Sequence, residues 1–183
     1  MTAKVNVIEI ITGHWDTLKD ASSKKVSKKD ILTFYIIPIL FSAVFVANNF
    51  SLTDNLTTLL INFSAIFTAL LLSVLVLVYD QGEKLNQAIK EKTNAILNLK
   101  RKLLEELYFN ICYSIVVSLA MIFFCLAEVI SRGKLVYLPI SNTVQTIDLS
   151  CILLTPIIVF LTLNLMLTIL MIVKRMHTLL STR

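Results

Sequence analysis

Hydrophobic positions run through the chain in four long stretches that contain no charged residue. These stretches are residues 31–53, 55–79, 107–127 and 149–173, and each is 21 to 25 residues long. A helix needs about 20 apolar residues to cross a hydrocarbon core of ~30 Å. Inside lipid the backbone must satisfy its own hydrogen bonds, which favours helices over irregular structure. The pattern therefore predicts an all-α integral membrane protein with four transmembrane helices.

The polar interruptions between these stretches set the boundaries of the predicted segments. Asp80, Gln81 and Gly82 indicate a helix break after the second span, and prolines at 38 and 156 should kink the first and fourth spans. The segments are an N-terminal segment (1–30), TM1 (31–53), a short outer loop (54–56), TM2 (57–79), a basic helix (80–106), TM3 (107–129), an outer loop (130–148), TM4 (149–173) and a tail (174–183).

Basic residues are distributed unevenly between the two predicted sides of the membrane. Residues 1–30, 80–106 and 174–183 together carry 15 of the 17 lysines and arginines. The positive-inside rule then places both termini and the 80–106 segment in the cytoplasm. We therefore expect a multi-pass protein of the bacterial inner membrane, with amphipathic helical segments on its cytoplasmic side.

Four lysines directly precede the first span: Lys24, Lys25, Lys28 and Lys29. At this position lysines fix the topology of the span and attract anionic lipid head groups. A dedicated partner for these lysines is the alternative. No aromatic residues are interleaved with them and no nucleic-acid-binding pattern is present, so a direct nucleic-acid partner is not predicted.

Residues 5–20 have the pattern of an amphipathic helix. Val7, Ile8, Ile11, Trp15 and Leu18 share one side at 100° per residue. Trp15 suits the level of the lipid head groups. The apolar side either lies on the bilayer or packs against the protein's own cytoplasmic helices, and the sequence leaves both alternatives open.

The 80–106 segment carries a second apolar stripe, and a continuous helix from Glu83 to Val129 is expected there. A helical stripe of this kind must be covered, either by the N-terminal helix, by a second copy of the chain or by a soluble partner protein. Its residues have heptad-like spacing and are Leu85, Ile89, Ile96, Leu99 and Leu103.

Uncharged polar residues occur inside the predicted spans. Asn110, Ser114 and Ser118 recur every four residues in TM3, while Asn62 lies in TM2 and Asn164 in TM4. Such side chains form interhelical hydrogen bonds in lipid, or they line a polar path through an oligomer. Near the end of TM3, Glu128 is expected to pair with Arg132 or to reach the outer interface, with a role at a pore mouth as the alternative.

No arrangement of residues indicates catalysis or a bound cofactor. His14 and His177 each stand alone without a partner at metal-ligand spacing, and both are interpreted as solvated or interfacial. The three cysteines, at 112, 125 and 151, lie in or beside spans and are interpreted as packing residues. We expect a protein without enzymatic activity, metal or cofactor.

The layout resembles the small four-pass membrane subunits of bacterial anti-phage defence systems, such as the Kiwa membrane component. The stretches that carry the resemblance are "ILTFYIIPILFSAVFVANNF", the three later spans, and "EKLNQAIKEKTNAILNLKRKLLEEL". It implies an oligomeric, non-enzymatic protein that acts with a cytoplasmic partner or by breaching the membrane. No diagnostic motif is shared, so no functional residue is carried over.

Three functions are consistent with these observations. The first is a homo-oligomeric membrane-perturbing effector or channel that responds to a cytoplasmic signal, for example in anti-phage defence. The second is a membrane scaffold or sensor that recruits a soluble cytoplasmic partner. The third is a transporter of small solutes.

Overall fold

The computed structural model describes residues 6–19, 28–48, 50–91, 95–132, 135–140, 143–148 and 150–181. Most of these residues are helical, and two short strands lie between the last two long helices. The elements are α1 (Ile8–Thr17), α2 (Lys28–Ile31), a π-helical turn (Leu32–Ile36), α3 (Ile37–Ala47), α4 (Asp54–Glu91), α5 (Ala95–Ser131), β1 (Leu135–Ile140), β2 (Thr143–Asp148), a second π-helical turn (Ser150–Leu154) and α6 (Thr155–Ser181).

Three helices are long and apolar enough to cross a membrane. They are Asp54–Glu91, Ala95–Ser131 and Ile152–Ser181, with 38, 37 and 30 residues. At most a third of the most apolar window of each is buried inside the protein. A soluble protein would hide most of such a surface, whereas a membrane protein exposes it to lipid. The first predicted span appears as a shorter apolar helix, Leu32–Ala47.

The helices pack side by side, and α4 and α5 form a long antiparallel helical hairpin. One core cluster lies toward the end of the bundle that also holds α1, and it includes Leu104, Leu107 and Ile172. A second cluster around Met121 and Ile158 lies toward the opposite end. We call the two ends of the bundle the α1 end and the β end, because β1 and β2 follow α5 at the second of them.

The loop before α4 lies earlier than the predicted outer loop. Residues 54–56 form the first turn of α4 rather than a loop, and the helix of the first span ends at Ala47 instead of residue 53. Thr53 explains the start of α4, because its hydroxyl accepts a hydrogen bond from the Leu56 amide at 3.4 Å. Asp54 adds a negative charge to the same first turn. Both features stabilise a helix N-terminus.

The predicted break at Asp80, Gln81 and Gly82 is wrong, because α4 continues through these residues to Glu91. Packing overrides the low helix propensity of glycine there. A Cβ placed on Gly82 would meet Leu104 at 3.4 Å, an ordinary van der Waals distance. The single helix expected from Glu83 to Val129 is instead divided between α4 and α5, and the two parts run antiparallel.

Two further segments differ from the prediction. Residues 130–148 were expected to be a loop, but β1 and β2 pair antiparallel there, from Leu135 opposite Asp148 to Ile140 opposite Thr143. β-Branched residues in both strands, together with Tyr137 in β1, favour this conformation. The tail predicted at 174–183 is helical through Ser181, because α6 continues beyond the apolar run.

Candidate functional site

The N-terminal helix α1 docks closely on α5 through Gly13. A Cβ at this position would lie under 3.0 Å from the ring of Phe109. Real Cβ contacts are essentially never that short, so a larger residue would push α1 away from α5. Gly13, which weakens the helix on propensity alone, is therefore what lets the two helices approach.

His14 lies at the centre of this contact and is completely buried. Its Nδ1 lies 2.9 Å from Oδ1 of Asn110, and its ring stacks on Tyr113 with centroids 3.8 Å apart. The hydroxyl of Thr17 lies 2.9 Å from the same Asn110 oxygen. The interpretation of His14 as a solvated residue is therefore wrong, since α5 supplies both a hydrogen-bond partner and a stacking surface.

The environment of His14 favours its neutral form. Burial lowers the pKa of His14 from 6.5 to about 4, the hydrogen bond to Asn110 opposes this change, and the positive charge of Arg175 adds to it. His14 Nε2 and Asn110 Nδ2 find no hydrogen-bond partner among the described residues. Buried polar atoms without partners cost free energy, which reduces the net stabilisation that α1 docking provides.

Arg175 joins three helices beside His14. Its guanidinium pairs with Glu106 of α5 at 3.1 Å and donates to the Thr17 carbonyl at the end of α1, at 2.7 Å. A cation at a helix C-terminus satisfies carbonyls that have no partner within the helix. The C-terminal part of α6 and the N-terminal helix are thereby held at the same end of the bundle.

The polar contacts continue from α5 to α6 and to the first apolar helix. Tyr113 donates to Asn164 Oδ1 at 2.9 Å, and Asn164 Nδ2 donates to the Phe34 carbonyl at 3.1 Å. Pro38 has no N–H for the carbonyl four residues earlier, which is that of Phe34. Asn164 thus satisfies a backbone group that would otherwise be orphaned in an apolar environment.

Part of the outward face of α1 is apolar. Ile8, Ile11 and Trp15 are 58%, 36% and 38% exposed, whereas Thr17 and Leu18 are buried. Ile8 and Ile11 on the apolar side therefore face outward, which favours the bilayer alternative for them, whereas Leu18 at the end of this side packs inside the protein. Trp15 stacks on Tyr35 with ring centroids 4.9 Å apart. Aromatic side chains of this kind are enriched at membrane–water interfaces.

The polar row of TM3 faces the interior of the single chain. Asn110, Ser114 and Ser118 are all completely buried. Ser114 donates to the Asn110 carbonyl at 2.9 Å, and Ser118 Oγ has no partner within the described part of the chain. Asn164 is equally buried, whereas Asn62 lies on the exposed surface of α4, away from the others.

The predicted apolar stripe is divided between two helices. Leu85 and Ile89 lie half-buried on α4, and Leu103 lies half-buried on α5. Ile96 and Leu99 are 44% and 49% exposed near the start of α5. Of the four topology lysines, Lys24 and Lys25 fall outside the described residues, as do the side chains of Lys28 and Lys29.

At the β end, Glu128 forms the expected pair with Arg132. Glu128 is 1% exposed, and both its oxygens lie 2.8 Å from Arg132 Nη2. Thr57 and Ser150 donate to the same carboxylate at 3.3 and 3.0 Å, and Asp54 also pairs with Arg132. A buried carboxylate needs such partners, and here they join α4, α5 and the turn before α6.

No described group of three or more His, Cys, Asp or Glu could hold a metal ion. Cys112 and Cys125 are buried free thiols. Comparison of the chain with protein families, curated proteins and solved structures found no match. Sequence reasoning missed the docking roles of Gly13, His14 and Arg175, because their partners are more than 60 residues away and helical periodicity describes only one helix at a time.

Proposed function

We propose that this protein is a four-pass membrane scaffold or sensor whose cytoplasmic α4–α5 tip recruits a soluble partner protein. The tip is defined here as residues 90–91 and 95–102. The proposal combines three parts: a fourth crossing by the first apolar helix, a cytoplasmic position for the α1 end, and a docking surface on the tip.

The path of the chain supports the fourth crossing. Thr17 contacts Arg175 at the α1 end, whereas α4 begins at the β end, where Asp54 pairs with Arg132. The chain must therefore traverse the bundle between residues 18 and 54. Lys28–Ala47 is helical throughout, and its 20 residues extend about 30 Å.

The contacts of this helix with α6 also fit a crossing. Phe34 contacts Asn164, and Ser42 donates to the Pro156 carbonyl at 2.8 Å. Ser42 lies eight residues after Phe34, and its partner Pro156 lies eight residues before Asn164. The first apolar helix accordingly runs antiparallel to α6, a helix that is itself long enough to span.

Charge supports a cytoplasmic position for the α1 end. Residues 1–30, 80–106 and 174–183 hold 15 of the 17 basic residues. The described contacts bring parts of all three segments to the same end, through α1, the tip of the helical hairpin and the end of α6. By the positive-inside rule this end faces the cytoplasm of a bacterial inner membrane.

The tip carries an exposed apolar surface beyond the end of the charge-free runs. Residues 80–91 of α4 extend about 18 Å past the last residue of the charge-free run. At the tip, Ile96 and Leu99 are about half exposed. The same tip carries four basic residues and one acidic residue, namely Lys90, Lys100, Arg101, Lys102 and Glu91. This combination fits an amphipathic helix with an apolar face and acidic flanks.

The exposed tip is the observation that carries the scaffold proposal. The channel alternative depends on polar side chains that are accessible to a water-filled path. The buried position of Asn110, Ser114 and Ser118 inside one chain lends that alternative no support. The channel, its oligomer and a role in anti-phage defence remain hypotheses.

Photo-crosslinking from the tip tests the proposal in living cells. A benzoylphenylalanine residue replaces Leu99, and the crosslinked peptides are sequenced. The expected adduct is a soluble protein joined through an acidic amphipathic helix. Ile96→Asp should abolish it, whereas Asn98→Asp, which adds the same charge to an exposed polar position, should preserve it. Adducts formed only with lipid or with a second copy of the chain would contradict recruitment.

A further inference from the structure

A groove of about 630 Å³ opens between α4, α5 and α6 near the α1 end. Its floor is apolar and consists of Val78, Leu104 and Leu107, all of which are buried. Leu77 of α4 and Leu180 of α6 form exposed apolar walls, 64% and 78% exposed. The groove therefore presents a continuous apolar surface that is open on its side.

The groove extends from the span into the polar region beyond it. Val74, Leu77 and Val78 belong to the charge-free run of α4, whereas Lys84 and Ala88 lie one to three turns past the end of that run. From Val74 to Ala88 the helix rises about 21 Å. The lower half thus lies at the depth of acyl chains, which a soluble protein cannot reach.

Two lysines line the upper half of the groove from opposite helices. Lys84 comes from α4 and Lys100 from α5, with Gln81 one turn nearer the membrane. Lys84 also pairs with Asp80 at 2.7 Å, but both side chains are more than half exposed. An exposed pair of this kind is weak and leaves the ammonium group available to a second anion.

We propose that this groove binds an anionic phospholipid, with its phosphate between Lys84 and Lys100 and an acyl chain along Val74, Leu77 and Leu107. Basic pockets between spanning helices on the cytoplasmic side bind anionic head groups. The apolar lower half matches the acyl chain, and the cationic upper half matches the phosphate. The site depends on the crossing of α4, α5 and α6. It shares Lys100 with the tip, but its test contains no partner protein, so it can fail or succeed apart from recruitment.

Lipid selectivity in a defined bilayer tests this site. The full chain is reconstituted in phosphatidylcholine vesicles with a trace of spin-labelled phosphatidylglycerol or spin-labelled phosphatidylcholine. Electron paramagnetic resonance then gives the association constant of one lipid relative to the other. The wild type should prefer phosphatidylglycerol, and Lys84→Gln with Lys100→Gln should reduce the preference by about fivefold per lysine.

A matched double variant separates the groove from general surface charge. Lys90→Gln with Lys102→Gln removes the same charge from the same two helices but outside the groove. This control should retain most of the phosphatidylglycerol preference. An equal loss in both double variants, or no preference in the wild type, would overturn the proposal.

A fluorescence measurement tests the position of the acyl chain. Leu77→Trp is introduced together with Trp15→Phe, so that the only tryptophan reports on the groove wall. Phosphatidylglycerol with brominated acyl chains should quench it more strongly than brominated phosphatidylcholine. Substituting Lys84 and Lys100 should remove the difference between the two lipids. Equal quenching in the unsubstituted groove would show that no anionic lipid is held there.

Discussion

Acidification should release α1 from α5, because the docked helix accommodates only the neutral ring of His14. Burial lowers the pKa of His14 from 6.5 to about 4 in the docked state. The docked state therefore binds a proton more weakly than the released state does. Docking is fully stable above pH 6.5, and its stability falls as the pH decreases from 6.5 toward 4. Below about pH 4 the loss reaches a plateau.

The size of the effect follows from the same two values. A difference of 2.5 units in pKa limits the total loss to roughly 3 kcal/mol. Between pH 7.5 and pH 5 the loss is about 2 kcal/mol, which lowers the docking equilibrium constant about 30-fold. Among the described residues, Tyr113 from α5 and Arg175 from α6 also face this contact, the latter paired with Glu106. Other charged groups line the pocket beside Gly13 and Thr17, namely Glu9, Asp16, Lys102 and Glu105.

Tryptophan emission reports directly on this release. Trp15 follows His14 in sequence, is the only tryptophan in the chain, and stacks on Tyr35 when α1 is docked. Its emission should shift between pH 7.5 and pH 5 in the wild type and stay constant in His14→Gln. The exposed second histidine provides the matched control, so His177→Gln should titrate like the wild type. A pH-dependent shift that persists in His14→Gln, or no shift in the wild type, would refute the reasoning.

Three further predictions concern packing and buried polar groups. Gly13→Val should destabilise α1 docking by about 1–3 kcal/mol through collision with Phe109, seen as a shift in tryptophan emission at pH 7.5. Glu128→Gln should lower the free energy of unfolding by about 2 kcal/mol in a detergent denaturation assay, because Arg132 loses a charged hydrogen-bond acceptor. Asn164→Leu should cost about 1–3 kcal/mol in the wild type but less in a Pro38→Ala background, where the backbone regains an N–H donor.

Each of these changes has a control in the same chain. Gly82→Ala meets only an ordinary contact and should stabilise α4 by up to ~1 kcal/mol, in contrast to Gly13→Val. Lys84→Gln breaks an exposed pair and should change stability by less than about 1 kcal/mol, unlike Glu128→Gln. Equal costs of Asn164→Leu with and without Pro38 would contradict the link between them.

The sequence predicted the features that depend on one helix at a time. Charge-free runs identified the apolar helices, since length and composition decide whether a helix can cross a bilayer. The Glu128–Arg132 pair followed from the i,i+4 spacing of a helix. Amphipathic spacing also identified α1, although it left open what covers the apolar side.

Features that depend on two helices could not be predicted in this way. Gly82 indicated a break by propensity, yet contact with Leu104 is compatible with a continuous helix. His14 was interpreted as solvated because Asn110, its partner, is 96 residues away. The apolar stripe was assigned to one helix, but it is divided between α4, which ends at Glu91, and α5, which begins at Ala95. Tertiary packing decides each of these cases.

The scaffold proposal depends most directly on which side of the membrane holds α1, the tip and the loop before α4. Single variants Thr12→Cys, Asn98→Cys and Ser51→Cys can be labelled with a membrane-impermeant maleimide in intact spheroplasts and in inverted vesicles. The wild type, which carries Cys112, Cys125 and Cys151, supplies the background. Four crossings predict labelling of Thr12→Cys and Asn98→Cys only in inverted vesicles, and of Ser51→Cys only in spheroplasts. Labelling of Thr12→Cys and Ser51→Cys from the same side would contradict a fourth crossing and the account built on it.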